Sequence, residues 1–405
     1  MFRKAIDPLR ILINDSRFTG TMLILCTVLS LLPINNHESA DFYKSVWALK
    51  LFPPSYHLPE TFIGWINNYF MAFFFMMAGT EIKRELISGE LSSFKKAVLP
   101  FGAALGGMVV PALIFTALNF HTIYAKGWGI PTATDIAFSV GIASILGKRV
   151  PVGLKILLMA LAIIDDLGAI VVIALFYGGH ISWVYLSFAA LLYAALLLCN
   201  FFKITKSSVW IVLSFGLWFA LYNSGVEASI AGVLVAFAMP IGMLPKFELH
   251  IHKYVNFLIL PLFALANTAI VLPTDIMGAL GSPLSLGIII GLVIGKPVGI
   301  FLFSRILVWA NIASLPRNVQ WKQLFGMGTL AGIGFTMSIF TTMLAFKQPA
   351  FQDIAKVSIL LAVLLSLIFS LIYFLSISNP LHIGHPAEKE KAKELAANEN
   401  TLELS

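Results

Sequence analysis

The 405-residue sequence predicts an all-α integral membrane protein with twelve transmembrane helices. Three observations carry that expectation. Hydrophobic residues make up 59% of the chain against 12% charged, and the mean hydropathy is +0.89, whereas soluble domains carry about 25% charged residues. Apolar runs of about 20 residues, enough to cross the hydrocarbon layer as helix, recur along the chain. They fall near 18–34, 61–80, 97–118, 123–146, 153–176, 181–201, 207–221, 225–240, 254–272, 284–306, 325–345 and 357–378. Finally, the 27 Lys and Arg sort by loop: 21 fall on the side of the N-terminus, 5 on the opposite side, and Lys296 lies inside a span. Positive charge marks cytoplasmic loops, so both termini are predicted to be cytoplasmic. The net charge of +7 therefore reads as topology and not as a preference for nucleic acid.

Residues 1–17, MFRKAIDPLRILINDSR, are basic and amphipathic and run into the first span without a clear small-residue cleavage site, which predicts a retained cytoplasmic segment. One twelve-helix domain, 18–378, follows. Cys26 and Cys199 lie in apolar runs and read as buried small hydrophobes, with neither a disulfide framework nor a metal site. Residues 35–60 form a long outer connection with aromatic residues and a Pro pair, suited to a small hairpin or a partner contact. Residues 379–405 are polar and predict a solvated cytoplasmic tail.

Within the domain, four charges stand where lipid or protein interior is expected: Asp135, Asp165, Asp166 and Lys296. Each costs roughly 2.5–3.5 kcal/mol at the centre of a span, and intramembrane charges are functional by default. The fourth run contains IPTATDIAFSVGIASILGK, residues 130–148. Pro131 with Thr132, Thr134 and Asp135 suits either a helix that unwinds to free oxygen donors or a Pro-kinked helix whose threonines bond their own backbone. Asp135 favours the first. The fifth run, LLMALAIIDDLGAIVVIALFY, has Asp165 and Asp166 as its only charges. Successive side chains on a helix diverge by about 100°, so the two carboxylates should find different partners. Neighbouring buried carboxylates also disfavour each other's ionisation, which suits proton exchange. Freed of protons, their oxygens are hard ligands for a small hard cation.

The tenth run, GLVIGKPVGIFLF, leaves Lys296 no near interface to snorkel to, so it should pair with a carboxylate. The eleventh, GMGTLAGIGFTMSIFTTMLAF, carries Gly332, Gly334, Thr336 and Ser338, which fit a close helix crossing or a second interrupted helix equally well. A faint echo links GGMVVPALIF at 106–115 with LVIGKPVGIF at 292–301.

The segments PTATDIAF, LAIIDDLGAI, GKPVGIFLF and AGIGFTMSIF, in this order and spacing, closely resemble the NhaA family of sodium/proton antiporters, and the likeness runs from about residue 10 to 378. It implies inverted-topology repeats and two interrupted helices, bearing Asp135 and Thr336, that cross near the membrane midplane. Asp135 would balance the positive helix ends there and Lys296 the negative ones, with Lys296 also pairing with Asp165 and sharing in proton coupling. Asp166 would be the principal ligand for Na⁺ or Li⁺ and protons, with Asp165 its partner and Thr134 an oxygen donor. The resemblance implies an electrogenic antiporter in a bacterial inner membrane, with no cofactor beyond the transported Na⁺, Li⁺ and H⁺. Its partners would be the bilayer and a second copy met through residues 35–60. It also assigns pH tuning to Glu81, Lys83, Arg84 and Glu85 with Glu248, His250 and His252, histidine having a suitable pKa. Glu227 departs from the family, where histidine is often expected, so the pH profile does not carry over.

Other classes also use intramembrane acids. A cation-coupled symporter would need groups that recognise its solute, and a channel has no need of a titrating acid pair. An intramembrane aspartyl protease would take its two aspartates from different helices in a GxGD-like context, which is missing here.

Overall fold

The computed structural model describes residues 16–377 apart from 274 and 317, and omits the side chains of 16, 17 and 90. The expectations for the N-terminal segment and the polar tail fall almost wholly outside the described residues. Among those described the chain is helical, and the sole extended pairing is an isolated antiparallel bridge between Lys50 and Thr61. Among the described residues, seven helices are long and apolar enough to cross a membrane: Phe62–Ser88, Phe94–Leu118, Val152–Phe176, Trp183–Phe201, Ile241–Asn267, Pro283–Trp309 and Pro349–Ile377. Trp321–Ala331 and Phe335–Ala345, bent by 48° at their junction, make an eighth if counted as one span. Four further helices, Ser16–Ile34, Ile136–Ile145, Ser207–Ser224 and Ile230–Ala238, occupy other apolar runs among the described residues. The chain is a multi-pass membrane protein.

Several boundaries differ from the sequence expectation. The second run continues as helix to Ser88 instead of stopping near 80, because TEIKRELIS contains no breaker and is rich in helix formers. The ninth begins at Ile241 instead of 254. Glu81, Arg84, Glu248 and His252 therefore stand on helices that carry on past the apolar runs. The outer connection holds a helix, Ala40–Trp47, and a turn of 3₁₀ helix, Pro54–Tyr56.

Close backbone approach sets the scaffold. Phe94–Leu118 lies against Pro283–Trp309, and at their crossing a Cβ on Gly106 would sit 2.2 Å from the carbonyl oxygen of Gly299, while one on Gly299 would sit 2.1 Å from that of Gly106. Small residues let helices meet this closely where no hydrophobic drive separates helix from lipid. Just before this crossing, Gly291–Gly295 widens into a π-turn, and Lys296 and Pro297 follow it. Proline removes a backbone donor and crowds the preceding turn, and the wider turn accommodates it. Lys296 is thereby presented from a helix held rigidly by its neighbour.

Candidate ion-binding site

Two helical segments are broken beside each other. In the first, a 3₁₀ stretch, Ala125–Thr132, gives way to extended backbone at Ala133 and Asp135 before Ile136–Ile145 begins. In the second, Trp321–Ala331 ends at Gly332 and Phe335–Ala345 starts from Gly334. The breaks touch: the Asp135 N–H donates to the Ile333 carbonyl at 2.7 Å. A Cβ on Gly334 would lie 2.6 Å from the Ala133 carbonyl oxygen, and one on Gly332 would lie 2.5 Å from that of Leu292. Only glycine allows the second break to come so near the first at Gly334 and the helix Pro283–Trp309 at Gly332.

Broken helices expose unpaired backbone groups, and side chains from the opposite segment satisfy them. Asp135 caps both starts. Its Oδ1 accepts from the Phe138 N–H at 3.1 Å, and its Oδ2 accepts from the N–H of Thr336 at 3.1 Å and its hydroxyl at 2.6 Å. One carboxylate thus faces the positive ends of two helix dipoles. The carbonyl ends are met by hydroxyls: Ser139 donates to Leu330 at 2.9 Å, and Ser338 donates to Ile130 at 2.8 Å. Ser139 was not singled out from the sequence, but a signal was there, since it stands four residues after Asp135 as Ser338 stands four after Gly334.

Asp165 and Asp166 lie halfway along Val152–Phe176 and point to different surroundings. Asp165 and Lys296 are completely buried and form an ion pair through Oδ2. Lys296 also donates to the Thr134 hydroxyl at 2.6 Å. The single Thr134 hydrogen can reach Asp165 Oδ2 at 2.6 Å or the Ala331 carbonyl at 2.9 Å. Lys296 therefore sits, through Thr134, beside the carbonyl end of Trp321–Ala331. Asp166 is 3% exposed, and its Oδ1, like that of Asp165, is buried without a hydrogen-bond partner among the described residues. Of the two carboxylates, only Asp165 has a lysine on its other oxygen.

Asp166 opens instead onto a cavity of about 700 Å³, which Thr134, Asp135 and Thr336 also line, while Asp165 does not reach it. The same cavity extends to Glu81, Arg84, Glu248 and His252. There Arg84 forms an ion pair with Glu248 and approaches Glu85 at 3.4 Å, and His252 Nε2 lies 3.1 Å from Glu81 and 3.7 Å from Glu248.

Not every sequence candidate joins these groups. Lys83 turns to the carbonyl end of Ile230–Ala238, donating to Phe237 at 2.7 Å and also to Met239, so it caps that helix. His250 is exposed and meets its own helix at the Lys246 carbonyl. Glu227 lies just before Ile230–Ala238, where it accepts at 3.5 Å from the Ser229 N–H, and it does not line the cavity.

The geometry, a buried ion pair beside a carboxylate that faces a cavity, can be set against known proteins. The sequence profile of the family described as Na⁺/H⁺ antiporter 1 matches residues 10–374. The chain is similar to a Na⁺/H⁺ antiporter NhaA of Flavobacterium psychrophilum, with 45% identity covering 89% of this chain and 95% of the relative. A protein of that name from Citrobacter koseri is 44% identical over 86% of this chain and 92% of its own. Na⁺/H⁺ antiporter NhaA 2 of Clostridium beijerinckii is 41% identical, covering 92% and 95% respectively. On the breadth of that match, over the same residues that carry the broken helices and the paired aspartates, the chain belongs to the Na⁺/H⁺ antiporter 1 family.

Proposed function

We propose that this chain exports Na⁺ or Li⁺ in exchange for protons, and that Asp166 is the group at which cation and proton replace each other. Family membership makes it a Na⁺/H⁺ exchanger, a transporter and not an enzyme. The residue roles rest chiefly on one observation: Asp166 is a nearly buried carboxylate that lines the cavity, whereas Asp165 does not line it and is held by Lys296. A carboxylate so placed binds either a proton or a small hard cation, and the two compete for the same oxygens.

The other roles follow from position. Asp165 is held by Lys296 and Thr134, and it supplies a second charge beside Asp166; both aspartates would contribute oxygens to Na⁺ or Li⁺, with Thr134 as a neutral donor. Asp135 and Lys296 stabilise the broken helices, and Lys296 can take part in proton coupling when its partner changes charge. We read the two broken segments as spans that cross in mid-membrane within a twelve-helix, inverted-repeat fold. Both termini would be cytoplasmic, in a bacterial inner membrane.

Exchange then proceeds by alternating access. When the site faces the cytoplasm, the cation displaces protons from the carboxylates. When it faces outward, protons displace the cation. Two protons per cation would make the cycle electrogenic, so that the membrane potential drives sodium out and serves salt tolerance and pH homeostasis. The cluster at Glu81, Arg84, Glu85, Glu248 and His252 would tune this with pH, and a homodimer would form through residues 35–60. Cation-driven dequenching of a pH dye in everted vesicles tests the reading: Na⁺ or Li⁺ should release the internal acid. No response to either cation, with the protein inserted, overturns it.

A further inference from the structure

The far end of the cavity carries a group of side chains whose geometry goes beyond charge tuning. Glu248 and His252 are one turn apart on the helix Ile241–Asn267, and Glu81 faces them from Phe62–Ser88. An i, i+4 pair places two donors on one helix face, the spacing by which a helix offers two ligands to one metal ion. One ligand atom from each of the three lies within 4.8 Å of the other two. Around a tetrahedral zinc ion with ligands at about 2.0–2.2 Å, donor atoms are about 3.4 Å apart. The two contacts of His252 Nε2, 3.1 Å to Glu81 and 3.7 Å to Glu248, lie on either side of that spacing.

We propose that Glu81, Glu248 and His252 form a binding site for a divalent transition metal of the zinc class, distinct from the transport site at Asp166. Two carboxylates and one imidazole make a three-ligand set, and the cavity leaves a fourth position open to water. Zinc takes the place of a proton on His252 Nε2, so binding one Zn²⁺ releases that proton to solvent when the imidazole starts charged. The surrounding charges set the competition. Arg84 engages the same Glu248 Oε1 that lies 3.7 Å from His252 Nε2, so the metal must displace Arg84 from that oxygen or take Oε2, and Glu85 draws Arg84 from the other side. Lys253 also lines the cavity and opposes the bound charge. Because its ligands come from two different helices, the metal would tie Phe62–Ser88 to Ile241–Asn267 and slow any exchange cycle that requires them to part.

The test uses purified, untagged full-length protein stripped with chelator and titrated calorimetrically with zinc chloride. One zinc per chain is expected. His252→Ala and, from the other helix, Glu81→Gln should each weaken binding at least tenfold, His252→Cys should restore it, and Asp166→Asn should leave it unchanged. Absence of binding to the wild-type protein, or unchanged affinity in both His252→Ala and Glu81→Gln, overturns the site; so does loss of binding in Asp166→Asn alone. This arm does not depend on exchange activity, so it separates failure of the metal site from failure of the transport reading. In everted vesicles zinc should slow Na⁺-driven proton release, with reversal by chelator. Saturating zinc without any effect on the rate overturns the clamping role.

Discussion

The two ends of one cavity hold similar chemistry in opposite settings. At the broken helices, Asp165 and Lys296 form an ion pair with no exposure, beside Asp166, which lines the cavity. At the far end, the ion pair of Arg84 with Glu248 joins a side chain 42% exposed to one 9% exposed, and His252 Nε2 stands 3.1 Å from Glu81 and 3.7 Å from Glu248. A buried pair must recover the desolvation of both ions by geometry, so removal of one partner is severe. A pair open to water is screened and contributes little. The difference assigns stability and chemistry to the inner end and adjustability to the outer one.

The largest expected effect falls on chemistry alone. Asp166→Asn should abolish both Na⁺- and Li⁺-driven proton release while the protein still inserts and melts near the wild-type temperature, since Asp166 pairs with no basic group among the described residues. Retained full exchange would erase the distinction between the two aspartates. Next, Lys296→Ala should destabilise by about 3–5 kcal/mol, because it strands the Asp165 charge in the interior. Thermal unfolding in detergent reads this, and the double variant with Asp165→Asn should recover much of the loss. If it does not, the lysine supports the fold chiefly through Thr134 and the Ala331 carbonyl.

How much of this could be read in advance depends on the range of the interaction. Asp165, Asp166 and Lys296 stood out because a charge in an apolar run is conspicuous on its own, and the threonines and glycines of the two breaks were visible as local patterns. Helical runs were legible for the same reason, while their ends were not: residues 81–88 are polar but are good helix formers, so hydropathy stopped where the helix did not. The group formed by Glu81, Glu248 and His252 depends on two helices meeting more than 160 positions apart in sequence, which no local pattern encodes. Lys83 looked like one of that group, but it turns to a different helix end.

Two smaller effects sharpen the contrast. Asp135→Ala removes a cap from two helices at once, and each cap is worth about 0.5–2 kcal/mol; Asp135→Asn, which keeps acceptor capacity, should lose less, as thermal unfolding would show. Arg84→Ala should change stability by less than about 1 kcal/mol, while shifting the pH at which exchange begins in a dye assay. A loss as large as that of Lys296→Ala would mean that the outer cluster is structural after all.

The mutual contact of Gly106 and Gly299 has a mechanical consequence. Two helices seated backbone on backbone, with no side chain between them to act as a bearing, cannot roll past each other without one lifting away. Lys296 is mounted on one of them, three residues from the contact. The helix pair therefore acts as one rigid unit, so that any displacement of one helix during a transport cycle carries the other, and the Lys296 ammonium group, with it.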